Sequence, residues 1–165
     1  VGTNDPQPKI LEAVLLHLDR LEERHIDPLP ILGNCLQACV HLLALGGYSI
    51  PFETCSQSGK KIIPPIGNWD WKCSFIPSEG FAIGVIPNTK IQLNASELAL
   101  LQRLIRSTLP VDKAGKIMGP TDVWLKILVI IDEWIEHHIQ KSLSSLKILR
   151  IAYEKDINHS YKNLD

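Results

Sequence analysis

Cysteine is the residue type in this chain with the clearest capacity for site chemistry, because its thiolate binds metals and acts as a nucleophile. The segment TCSQSGKK carries Cys55 and, shortly after it, Gly59. A zinc knuckle needs a second cysteine three residues after the first, where this chain has Ser58, a poor zinc ligand. We therefore interpret Cys55 as the remnant of a lost metal site, and we assign no metal or cofactor to the chain.

The other cysteines offer weaker possibilities. Cys35 and Cys39 are spaced to share one face of a helix, but leucines flank both, and this pattern predicts that they are core residues. Cys73 has no cysteine close to it, and two thiolates alone seldom hold structural zinc. A metal-binding protein that uses Cys55, Cys73 and a histidine stays open as an alternative.

The paired histidines do not complete such a site. His137 and His138 are adjacent, so on a helix their side chains point about 100° apart and cannot both face one metal. His138 falls among apolar residues at helical spacing, and we interpret it as a buried or boundary imidazole that makes a hydrogen bond.

Enzyme motifs are absent from the sequence. There is no nucleophile elbow, phosphate-binding loop, zinc-protease H-E-x-x-H or glycine-rich dinucleotide turn. We predict that the protein is not an enzyme.

Length and charge favour one ordinary domain. The chain has 165 residues and a formal charge of −1, so it can bury a core of its own and has no global basic field. Its apolar runs are too short for a membrane span, and its first residues do not resemble a signal peptide. These features predict a single domain over residues 1–165 in a reducing cytosol, with no membrane partner.

The hydrophobic pattern divides the chain into helical and irregular parts. Apolar residues at helical spacing predict a helical pair over 9–47, whose second helix follows Pro28 and Pro30 and ends at Gly46. Residues 95–153 form a predicted helical block. In this block Asn94 or Ser96 caps one helix, the central core helix begins behind Pro120, and a short last helix precedes a tail at 154–165.

Residues 48–94 predict an irregular β-insert between these blocks. Apolar and polar residues alternate before and after a turn at 77–80, which is typical of a β-hairpin. The residues with this alternation are Trp69, Trp71, Cys73 and Phe75 before the turn and Phe81, Ile83 and Val85 after it. We expect the face that carries Trp69, Trp71 and Phe75 to pack against the helices. The predicted fold class is mainly α, with about five helices and a small hairpin insert similar to a degenerate zinc ribbon.

Basic residues cluster locally near the end of the sequence. Such groups, beside apolar residues, can bind an acidic and hydrophobic peptide or phosphates, although a solvated helix face is the simpler alternative. The predicted partner-binding and DNA-binding residues are Arg103, Arg106, Lys141, Lys147 and Arg150.

The order of these segments resembles the C-terminal helical domain of the RecO family of bacterial recombination mediators. The family pattern around its first cysteine pair is matched by Gly47, Tyr48, Pro51, Cys55 and Gly59. Its closing helix is approximated by Trp134, Ile135, His138, Leu143 and Ser145. The chain departs from the family pattern because it lacks the remaining zinc cysteines and the N-terminal OB-fold domain.

The resemblance implies a role in DNA repair and recombination, in the bacterial cytoplasm at the nucleoid. The implied partners are RecR, the C-terminal tail of the single-strand-binding protein and, weakly, single-stranded DNA. With an upstream OB-fold, such a protein is expected to anneal strands and help load the recombinase. The first residue, Val1, fits a piece of a longer protein, and an inactive truncated remnant is the other alternative.

Overall fold

A computed structural model describes the backbone of residues 9–140 and the side chains of residues 16–140. Its elements, in order, are α1 (Lys9–Glu23), α2 (Leu29–Leu45), β1 (Cys73–Ile76), β2 (Gly80–Ile83), β3 (Ile91–Leu93), α3 (Ala95–Arg103), α4 (Thr121–Ile135) and a π-helical turn (Glu136–Gln140). The prediction of a mainly helical fold with a small antiparallel sheet is confirmed. None of the described helices is long and apolar enough to cross a membrane. The predicted last helix and tail lie outside the described residues.

Helix α4 forms the centre of the core, as its apolar spacing predicts. Trp124 is fully buried, and its indole nitrogen donates a hydrogen bond of 2.9 Å to the carbonyl of Met118. The other buried apolar side chains of the helix are Ile127, Leu128, Ile130, Ile131 and Trp134. They pack mainly against α2, so the two helical blocks of the sequence share one core.

Helix α2 contains no charged residue and has apolar side chains on two faces. Its inward face is centred on Leu36 and Val40, which are buried, whereas Cys35 is exposed and Cys39 is partly buried. The prediction that Cys35 belongs to the core is therefore wrong. It failed because, in a helix that is apolar nearly all round, periodicity does not identify the inward face.

The three strands form an antiparallel sheet in the order β2-β1-β3. Phe75 is paired with Phe81 across the hairpin, and their ring centroids lie 5.2 Å apart inside the core. Buried Ser74 joins the sheet to the following loop, since its hydroxyl donates to the carbonyl of Gly84 at 2.7 Å and accepts from the Ile86 amide at 3.0 Å. The hairpin was predicted, but the three-residue strand β3 was not.

The predicted inward face of the insert is wrong at Trp69. The chain turns over residues 65–70, so β1 begins only at Cys73, and Trp69 is 78% exposed. Trp71 is partly buried, and Phe75 is buried as expected. After the turn the alternation also fails. Phe81 and Ala82 are both buried, whereas Ile83 and Val85, which were expected to share the inward face with Phe81, are exposed.

Polar side chains of the helices bind backbone carbonyls of the insert and of the segment leading into it. The Gln102 amide donates to the carbonyls of Phe52 and Ile62, at 2.9 and 3.1 Å. The indole nitrogen of Trp134 donates to the Tyr48 carbonyl at 2.9 Å. The insert is therefore part of the same structural unit as the helices.

Candidate functional site

The end of α3 positions the first pair of predicted binding residues. The helix starts with a capping box, in which the Asn94 side chain accepts from the Glu97 amide and the Glu97 carboxylate accepts from the Asn94 amide, at 2.9 and 3.0 Å. It ends at Arg103, so Arg106 lies on the turn beyond the helix instead of on the helix itself. The carbonyl of Arg106 accepts a 2.7 Å hydrogen bond from the side-chain Nε2 of Gln37, which fixes this turn on α2.

The loop at 110–118 is a closed turn that holds two further lysines. Val111 pairs with Ile117, and the carboxylate of Asp112 accepts from the amides of Ala114 and Lys116, at 2.8 and 3.0 Å. Lys113 and Lys116 lie exposed at the end of this turn. The loop is thus ordered by its own hydrogen bonds, and its lysines project from a defined backbone.

Close packing attaches this loop to α2. Ile117 is buried, and a β-carbon at Gly33 would lie 2.6 Å from its Cδ1 atom. A side chain at position 33 would therefore force the end of the Ile117 side chain to shift. The loop is also joined to α3, because the guanidinium of Arg103 donates to the Met118 sulfur at 3.2 Å.

These elements form what we call the basic-apolar surface. Its cations are Arg103, Arg106, Lys113 and Lys116, and its exposed apolar side chains are Ile105, Val111 and Met118. Asp112 is the only acidic residue between positions 103 and 119, so these four cations outnumber it. None of the four cations forms an ion pair with a residue in the described part of the chain. The surface can therefore supply charge-assisted hydrogen bonds to carboxylates or phosphates beside an apolar contact.

The structure brings together only part of the predicted site. Arg103 and Arg106 lie on the basic-apolar surface, whereas Lys141, Lys147 and Arg150 lie outside the described residues. Sequence reasoning missed Lys113 and Lys116 because it treated their segment as a polar loop. An aspartate followed by the sequence K-A-G-K is a turn signal that could have identified them, since aspartate side chains accept hydrogen bonds from backbone amides in such turns.

The segment around Cys55 keeps the backbone of a metal knuckle. Gly59 has a φ of +71°, and its amide donates to the carbonyl of Cys55 at 2.8 Å. Burial acts to raise the pKa of the Cys55 thiol, but hydrogen bonds donated by the Ser58 hydroxyl and by the amides of Ile83, Ser58 and Gln57 outweigh it and lower the pKa to about 7. In this turn the serine occupies the second ligand position and donates a hydrogen bond to the first sulfur.

The remaining candidate ligands do not complete a metal site with that sulfur. The pKa of the Cys73 thiol is raised to about 12 by burial and by the nearby Cys55, which favours a neutral thiol. His138 stacks on Trp134 with ring centroids 3.7 Å apart, and its Nε2 donates to the Pro77 carbonyl at 2.9 Å, as expected for a boundary imidazole. Among residues with described side chains, no group of three or more His, Cys, Asp or Glu could hold a metal ion.

Comparison with models of known protein families assigns this chain to a family. The model of the family described as recombination protein O C terminal matches residues 1–147. The chain belongs to this family. The sequence-based recognition of the family is thereby confirmed.

Several curated relatives, all described as DNA repair protein RecO, support this assignment. The DNA repair protein RecO of Prochlorococcus marinus (strain MIT 9303) is 47% identical over 156 residues, which cover 92% of this chain and 58% of the relative. That of Synechococcus sp. (strain WH7803) is 48% identical over 154 residues, covering 91% of this chain and 57% of the relative. The chain thus spans a little under three fifths of the length of these relatives. No solved structure matches it significantly.

A more distant relative extends the same pattern. The DNA repair protein RecO of Thermosynechococcus vestitus is 25% identical over 163 residues, which cover 87% of this chain and 57% of the relative. The similarity therefore covers most of the chain even where identity is low.

Proposed function

We propose that this chain is a non-enzymatic binding module of a DNA recombination mediator in the bacterial cytoplasm, and that its basic-apolar surface binds the acidic, apolar-ended C-terminal tail of the single-strand-binding protein. Members of the family generally work with RecR and the single-strand-binding protein. The observation that carries the proposal is the group of four unpaired cations around exposed apolar side chains, at Arg103, Arg106, Lys113 and Lys116 among the described residues.

The chemistry of such a tail matches this surface. Carboxylates prefer guanidinium and ammonium donors, and arginine binds them with two parallel hydrogen bonds. The apolar end of the tail would contact Ile105 and Met118, which are half exposed beside the cations. Because the whole chain has a formal charge of −1, this attraction is local to the surface.

RecR and single-stranded DNA complete the proposed set of partners. The near-neutral chain favours protein contact over a tight grip on DNA, so we expect DNA binding by this module to be weak and salt-sensitive. With an upstream OB-fold, strand annealing and recombinase loading are proposed as well, and this module would contribute its partner contacts.

A peptide titration tests the proposal. A fluorescent peptide with several aspartates and a terminal phenylalanine is titrated with the chain and with the double variant Arg103→Ala/Arg106→Ala. Because each exposed ion pair contributes up to about 1 kcal/mol, affinity should fall about tenfold in the variant and decrease further with added salt. The same loss is expected for Lys113→Ala/Lys116→Ala.

The matched control removes two cations elsewhere. Lys60 and Lys61 are exposed on the knuckle loop, and Lys60→Ala/Lys61→Ala changes net charge equally. Equal losses in all three variants would show a general charge effect and contradict the proposed surface. Absence of binding to the peptide, to RecR and to DNA would instead support the inactive remnant.

A further inference from the structure

The outward face of α2 carries apolar side chains that the described part of the chain leaves uncovered. Near the end of the helix Leu42 is 66% exposed and Leu45 is 85% exposed, and near its start Ile31 is 47% exposed. Cys35 and Ala38 lie exposed between them. Exposed apolar patches on soluble proteins commonly mark interaction sites, so this face needs a partner.

The spacing of these residues indicates what kind of partner fits. Along the helix the steps from one to the next are four, three, four and three residues. This alternation keeps the side chains on one narrow stripe, and the usual partner of such a stripe is a second helix, as in a coiled coil. We call the stripe the α2 seam, which consists of Ile31, Cys35, Ala38, Leu42 and Leu45. It lies opposite the buried side chains of Leu36 and Val40.

The α2 seam is complementary to an antiparallel copy of itself. A two-fold axis through Ala38 places Ile31 opposite the second copy's Leu45, and Cys35 opposite the second copy's Leu42. The small side chain of Cys35 then faces a large one, which is the alternation that packs two helices closely. The two alanines meet on the axis, where their small size lets the backbones approach. The same surface thus serves both copies, as a closed two-fold contact requires.

The absence of charge also favours a second copy as the partner. A two-fold contact brings groups near the axis against their own copies, so a charged residue there would meet a like charge. Helix α2 has no Asp, Glu, Lys or Arg along its whole length. At the border of the seam, the side-chain amide of Asn34 donates to the Pro30 carbonyl at 2.9 Å within the same chain. Pairing therefore buries apolar area without desolvating a charge.

We propose that the α2 seam is the contact surface of a two-fold dimer of this chain, in which the α2 helices of the two copies pack antiparallel. Stable protein interfaces bury about 800 Å² on each partner, which is more than one helical stripe provides. The dimer is therefore weak and forms as the protein concentration rises. The proposal does not depend on the function proposed for the basic-apolar surface.

Such a dimer carries two copies of the basic-apolar surface. The turn and the loop of that surface are attached to α2 through Gln37 and Gly33, which are buried on the side of the helix away from the seam. Pairing through the seam does not use that side of the helix. A partner with two tails can then bind both copies at once, which raises its overall affinity without any new contact.

Sedimentation equilibrium of the full 165-residue chain tests for the dimer. Between about 1 and about 500 μM, the average mass should rise from that of the monomer towards twice that value. Leu42→Lys places a charge in the seam and should weaken association about tenfold or more. Because Leu42 is exposed in the monomer, this substitution should leave the thermal midpoint nearly unchanged. Ile63→Lys is the matched control, since Ile63 is 75% exposed on the β-insert, and it should leave dimerisation unchanged.

Cysteine cross-linking tests the two-fold geometry. In a Cys35→Ala background, Ala38→Cys places two thiols beside each other on the axis, and mild oxidation should join most chains of this variant in pairs. Leu45→Cys should cross-link little on its own, because position 45 lies opposite position 31 of the second copy. A mixture of Leu45→Cys and Ile31→Cys chains should form the mixed covalent dimer.

Two results would overturn the inference. One is a chain that stays monomeric at every concentration, with no disulfide in the Ala38→Cys variant. If Cys35 of that monomer also resists thiol reagents, residues outside the described range cover the seam. The other is a dimer that persists in Leu42→Lys, which would place the contact elsewhere on the chain. Neither result changes the outcome of the peptide titration at the basic-apolar surface.

Discussion

Gln102 offers the sharpest test of how the insert is attached to the helices. Its amide donates two hydrogen bonds, of 2.9 and 3.1 Å, to the carbonyls of Phe52 and Ile62 on opposite sides of the knuckle loop. Both acceptor residues are buried, so water cannot readily replace the amide. A buried carbonyl that loses its donor costs about 1–3 kcal/mol. We therefore expect Gln102→Ala to lower the free energy of unfolding by about 2–4 kcal/mol.

The assay is urea and thermal unfolding followed by circular dichroism. For a chain of this size, each kcal/mol corresponds to about 2–4 °C, so the midpoint should fall by about 5–15 °C. Gln57→Ala is the control, because the Gln57 side chain is exposed, and it should stay within about 0.5 kcal/mol of the parent. Gln102→Glu should be worse than alanine at neutral pH, since a carboxylate beside two carbonyls only accepts hydrogen bonds. A stability of Gln102→Ala equal to that of the parent would refute this account.

Two further outcomes concern single residues. Asn94→Ala removes the α3 cap and should destabilise the fold by about 1 kcal/mol in urea titrations, whereas Asn94→Ser should recover most of the loss. For Cys55, the folded pKa of about 7 lies below the ordinary 9.0, so the thiolate stabilises the fold above about pH 9 and this contribution is lost as the pH falls through about 7. The stability difference between the parent and Cys55→Ala should therefore grow from about pH 6 to about pH 9, and a constant difference would contradict the hydrogen-bonded thiolate.

The helices were predictable because their signals are local. Proline marks the start of α2 and glycine marks its end. An asparagine with a glutamate three residues later starts α3, and the apolar spacing of α4 identifies its buried face. Each of these features acts within a few turns of chain. Strand β3 has only three residues, which is too short for an alternating pattern to predict a strand. It is recognisable only in the structure, through its pairing with β1.

The errors arose where tertiary contacts decide the outcome. Trp69 alternates correctly with its neighbours, but the turn before Cys73 places it in solvent. Cys35 has apolar neighbours, yet α4 packs against the other face of α2. Half of the candidate surface was predicted, because Arg103 and Arg106 are close together in the sequence. Lys113 and Lys116 were missed, because only the packing of their loop on α2, through Ile117 and Gly33, brings them to the same surface.

The bonds that join the insert to the helices determine which experiments can isolate its role. Phe75 and Phe81 fill the common core, and Gln102 and Trp134 rely on carbonyls of the insert and its leading segment as acceptors. Excising residues 48–94 would remove these acceptors and open the interior, so a deletion variant would report misfolding instead of lost binding. The contribution of the insert has to be measured by surface substitutions such as Trp69→Ala, which leave its framework in place.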